Sequence, residues 1–114
     1  MMHHMNAELP MPIQRTLATL TARAHEAALH RALTGLSREF DRWRRAEIDS
    51  LELADRIHEF HDGPNREIYL RYNGKTDLRV LVSHAVHEGL LARESIPPEV
   101  MPYLASALQF YEGR

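Results

Sequence analysis

The 114-residue sequence has no cysteine. Disulfides, zinc ribbons, thiolate redox chemistry and cysteine nucleophiles are therefore excluded. Lysine is nearly missing as well: Lys75 stands alone among fourteen basic residues, and the rest are arginines. That usage reads as codon bias first, although the guanidinium fork also suits interfaces. With only five glycines, the chain has neither a P-loop nor a Gly-x-Gly-x-x-Gly, so no nucleotide cofactor is expected. None of Ser37, Ser50, Ser83, Ser95 and Ser106 lies in a Gly-x-Ser-x-Gly elbow. Charge of one sign is scarce too. A formal net charge of −2 gives no drive towards nucleic acid or anionic membranes. No apolar run approaches a membrane span. The stretch Met1 to Asn6 lacks the cationic segment and long apolar run of a secretory signal, and His3 and His4 carry no weight. A cytoplasmic location is expected, with neither a membrane nor a nucleic-acid partner.

What remains is ordinary globular composition, 44% hydrophobic and 26% charged. It predicts a flexible arm over 1–9, then a single domain over 10–114 with room for one core. Pro10 and Pro12 introduce a first helix carrying Leu17, Leu20, Ala24 and Ala27, which Gly35 is expected to end. A second, about Leu36 to Arg45, places Leu36, Phe40 and Trp43 on one face, with Trp43 as a core anchor. Asp49 and Glu52 fit a capping box opening a third helix, with stripe Leu53, Ile57 and Phe60. Asp62-Gly63-Pro64 is expected to stop it. A short fourth helix carries Ile68 and Tyr72 and closes at Asn73-Gly74. Thr76 or Asp77 caps a fifth, about 77–92, and a last helix carries Val100, Leu104, Leu108 and Tyr111. No segment alternates long enough for a strand. The expected fold is all-α, a compact bundle of about six short helices.

The fifth helix has apolar residues on two sides. Leu78, Leu81, Val82, Ala85 and Ala92 form one face, and Val80 and Leu91 fall nearly opposite. An element apolar on two sides is central or packs on a partner. His84 and His87 lie between Val80 and Leu91 at helical spacing, on that second side, and are expected to line a contact.

One signature, His-x-x-His-acid-Gly, occurs twice: His58 to Gly63 and His84 to Gly89. On a helix, residues three and four apart share a face, so each copy gathers two imidazoles and a carboxylate in one turn. Eight histidines in this length give about half a His-x-x-His pair by chance, so two is an excess. His58, His61, Asp62, His84, His87 and Glu88 are candidate ligands for a divalent transition metal, and an open coordination position would allow hydrolysis. The alternative takes them singly: border histidines, Asp62 as a helix cap, Glu88 paired with Arg71 or Arg93. Arg38, Arg42 and Arg45 share a helix face, which the interleaved Glu39, Asp41 and Glu47 mark as solvated rather than phosphate-binding.

The doublet His61-Asp62 resembles that of the HD-type phosphohydrolases, which are also all-helical, with His25 or His30 at a plausible upstream distance. No aspartate follows Asp77, so the family's distant downstream aspartate has no counterpart, and the likeness covers two residues. A broader resemblance runs from Trp43-Arg44-Arg45-Ala46-Glu47-Ile48-Asp49 through Ile57-His58-Glu59-Phe60-His61-Asp62-Gly63-Pro64 to Arg66-Glu67-Ile68-Tyr69. This middle third resembles a small uncharacterised bacterial all-helical family. The resemblance implies a helical fold and transfers no catalytic residue.

With no catalytic motif and no predicted cofactor, the expected function is a non-enzymatic helical interaction or regulatory module. It would self-associate or dock on a protein partner. Two alternatives stand beside it: a metal-binding domain, with hydrolysis as its chemistry, on the six residues above, and a histidine-based pH-responsive interface.

Overall fold

The computed structural model of the chain describes residues 9–113, and these are all-helical, with no strand among them. Helix α1 spans Met11–Arg44. α2 (Ser50–Phe60) runs through a π-helical turn, His61–Asn65, into α3 (Arg66–Tyr72) without a break. α4 is Leu78–His87, a 3₁₀ turn occupies Arg93–Ser95, and α5 is Met101–Glu112. The expected flexible arm falls on residues outside those described, except Leu9. Leu9 is buried, and its carbonyl accepts from Gln14 Nε2 at 2.7 Å.

Among the described residues, four continuous helices replace the expected six, because two breaker signals are overridden. Gly35 does not end a helix. A mid-helix glycine costs only about 1 kcal/mol relative to alanine, and the long run of helix formers around it absorbs that. Pro64 does not end one either. Its missing N–H and its clash with the preceding turn are accommodated by the wider π turn, which needs no break in the rod.

The ends of α1 and α4 share one motif. α1 ends where the Glu47 N–H donates to the Arg42 carbonyl at 2.8 Å and the Ala46 N–H to that of Trp43 at 3.0 Å. This is a Schellman motif with Ala46 as its left-handed residue, at φ 61°. α4 ends the same way. Leu90 N–H donates to Ala85 (2.8 Å) and Gly89 N–H to Val86 (3.1 Å), with Gly89 at φ 76°. The fifth expected helix therefore stops at His87 rather than near Ala92. Helix starts follow the sequence more closely. Asp49 accepts from the Glu52 N–H, and Asp77 from the Arg79 N–H, each at 2.8 Å. Glu52 does not fold back on the cap; its carboxylate takes Arg56 at 2.9 Å.

The chain divides into two contact units, one running up to Ala27 and resuming at Gly74, the other Ala28–Asn73. The first has the fuller core, with Leu17, Leu20, Val82, Val100 and Leu104 fully buried and Ile13, Ala24, Leu81, Leu91, Ile96 and Leu108 around them. The second buries Ala28, Ile48, Leu53 and Ile68. Trp43 is not the core anchor its place on the stripe suggests. It is 40% exposed, edge-on to Phe40 at 6.5 Å.

Candidate functional site

The first histidine signature belongs to the Ala28–Asn73 unit. The end of α2 and the π turn place His58 and Asp62 one turn apart, and Nε2 of His58 lies 3.0 Å from Oδ2 of Asp62. Both are exposed, as is His61. No helix starts at Pro64, so Asp62 pairs with this imidazole rather than serving as the helix cap that was the alternative.

The second signature belongs to the other unit, on α4. His84 is half-buried and His87 exposed, and both rings pack on Tyr111 of α5. The His84 and Tyr111 centroids are 5.7 Å apart with the rings inclined at 66°. The His87 ring stacks on Tyr111 at 5.4 Å and 23°. The contact these two histidines were expected to line is an aromatic one within the chain, and His87 stays exposed beside it. Glu88 follows α4 as its C-cap and is exposed, and among the described residues it forms no ion pair with Arg93. Arg93 instead pairs with Glu112. Among the described residues no three histidine, aspartate or glutamate side chains are grouped so as to hold a metal ion.

Beside Tyr111 lies an open apolar groove. Its volume is about 570 Å³, and it runs between α4 and α5, lined by Arg79, Val80, Pro102, Tyr103, Ala107 and Phe110 among others. Phe110 is 60% exposed and Tyr103 37%. Val80 belongs to the second apolar side expected for the fifth helix, and the groove is where that side lies. Leu91, expected to share it, lies beyond the end of α4 and is buried in the core instead. Tyr103 and Phe110 lay outside the expected stripe of α5. With Ala107 they recur at helical spacing on a face of α5 that Leu104 and Leu108 do not occupy.

The polar rim of this groove is already engaged. Arg79 Nε and Nη2 donate to Oδ1 and Oδ2 of Asp77 at 3.1 and 3.0 Å, with both side chains largely buried. Burial alone would push the Asp77 carboxyl up. The side-chain and backbone hydrogen bonds from Arg79 and its charge together outweigh this and hold the group below its ordinary range.

The arginine face in the other unit is a set of local ion pairs. Arg42 meets Glu39 at 3.1 Å, Arg44 meets Asp41 at 2.7 Å, and Arg45 meets Glu47 at 2.8 Å. Glu47 is held below its ordinary pKa by the Arg45 hydrogen bond. No helix among the described residues is long and apolar enough to cross a membrane. The chain matches no family model, no curated protein and no solved structure.

Proposed function

We propose that the chain is a non-enzymatic helical interaction module that self-associates through the α4–α5 face. The observation that carries this reading is the apolar groove bordered by exposed Tyr103 and Phe110. Contiguous apolar surface with a polar rim is what interaction sites present. A small-molecule site would add polar groups converging on a ligand. Here the one charged lining group, Arg79, is held in a two-pronged pair with Asp77. Sedimentation velocity over a concentration series tests the reading. Wild-type protein forms a dimer, and Phe110→Ser weakens it by about 30-fold or more, as truncating an aromatic anchor does. Wild-type protein that stays monomeric up to about 1 mM would remove the reading.

The rings against Tyr111 support a second reading, a pH response of the same face. Imidazole is the side chain whose charge changes between pH 5 and 8. His84 and His87 both pack on a residue that lines the groove, with Glu88 following them and Glu112 held by Arg93. Sedimentation of the wild type at about pH 5.5 and pH 8 decides it, and identical association constants at the two would remove it.

A further inference from the structure

Resting on the self-association reading, we infer that two copies pair through antiparallel α5 helices about a two-fold axis at Ser106 and Ala107. Three observations lead there.

The first is charge. From Met101 to Tyr111 no residue is charged, in a chain where about a quarter of residues are. The charges at the borders are compensated within the chain, Asp77 with Arg79 on one side and Arg93 with Glu112 on the other. A charged partner has nothing to pair with here. A second copy brings the same neutral face, so pairing like with like buries no repulsion, the usual obstacle to an isologous contact.

The second is shape. The surface carries both a groove and the ring that could fill one, since Phe110 lines the groove and is also its most exposed aromatic. A two-fold contact needs this self-complementarity, with residue i meeting j and j meeting i.

The third is spacing. Tyr103 and Phe110 are seven residues apart, two helical turns, and the small Ser106 and Ala107 lie midway. Turning α5 about that midpoint sets Tyr103 of each copy against Phe110 of the other. Small side chains at the crossing let the backbones approach more closely than the usual 8–10 Å.

The strength follows from the area. Covering the exposed parts of these rings removes on the order of 300–500 Å² over both copies. Stable interfaces bury about 1,200–2,000 Å². The pairing is therefore a concentration-dependent exchange rather than a permanent dimer.

Because the chain has no cysteine, a single introduced thiol reports the geometry without background. Ser106→Cys lies on the axis and meets its own counterpart. Ala105→Cys, exposed on the same helix but about 100° round from Ser106, does not. After treatment of each variant with a short bis-maleimide, Ser106→Cys gives the covalent dimer as its main product, and Ala105→Cys stays monomeric. Equal or reversed yields overturn the axis. So does the failure of both variants to cross-link when wild-type protein sediments as a dimer, which leaves the self-association reading intact. A monomeric wild type overturns both. Far-UV circular dichroism of the two variants, matching wild type, excludes misfolding as the cause of a low yield.

Discussion

The indole nitrogen of Trp43 donates to the Ser50 hydroxyl at 3.0 Å, tying the last turn of α1 to the first residue of α2. Between them lie only the Schellman turn at Ala46 and the Asp49 cap. The sole tryptophan thus acts as a clasp at a corner. Trp43→Phe keeps an aromatic ring against Phe40 and removes the donor. Because the bond is exposed, the expected loss is small, about 0.5 kcal/mol, read from the urea midpoint at unchanged slope. Ser50→Ala should give a similar loss, and the double variant should cost no more than either single change.

The two Schellman turns make opposite predictions. Ala46 holds a left-handed conformation that costs an L-residue about 1–2 kcal/mol, and glycine adopts it freely. Ala46→Gly should raise stability by up to about 1 kcal/mol. Gly89→Ala puts the same strain into the end of α4 and should lower stability by about 1 kcal/mol or more. Chemical denaturation of the two variants side by side measures both signs.

Asp77 sets a pH dependence. Its folded-state pKa lies below the unfolded value, because Arg79 favours the charged form. The stabilisation is therefore fully present above the ordinary aspartate range near pH 4. It is lost as pH falls through the lower folded-state value. Asp77→Asn keeps a capping oxygen but abolishes the ion pair. It should be less stable than wild type at pH 7, and the gap should close as pH drops towards 2.

Ser83 is fully buried on α4, and its hydroxyl has no hydrogen-bond partner among the described residues. An unsatisfied buried hydroxyl is a cost that alanine removes at little change of volume. Ser83→Ala should leave stability unchanged or raise it by up to about 1 kcal/mol, seen as a higher melting temperature.

Helix starts were more legible than helix ends. Asp49 and Asp77 act through side-chain chemistry, which a sequence states directly. Gly35 and Pro64 carry the usual stop signals, but neither glycine's flexibility nor proline's missing donor forces a stop when the flanks favour helix. Ala46 carries no stop signal at all. Its left-handed turn is held by the backbone bonds of the corner that Trp43 and Ser50 close. The groove was half legible: Val80 stood out as an apolar residue on the wrong side of its helix. Tyr103 and Phe110 were obscured because Leu104, Leu108 and Tyr111 already supplied a complete stripe for α5. The repeated histidine signature promised a shared chemistry, but its copies do different things. One forms an exposed His58–Asp62 pair, and the other grips Tyr111.

The uncharged run of α5 from Met101 to Tyr111 also fixes how this face responds to salt. Encounters between charged surfaces weaken as ions screen them over a Debye length of about 8–10 Å. A face with no charge from Met101 to Tyr111 has no field to screen. Strongly hydrated anions such as sulfate instead make exposed apolar surface costlier to leave in water. Rising ionic strength would strip away non-specific ionic company and leave, or tighten, whatever this face holds.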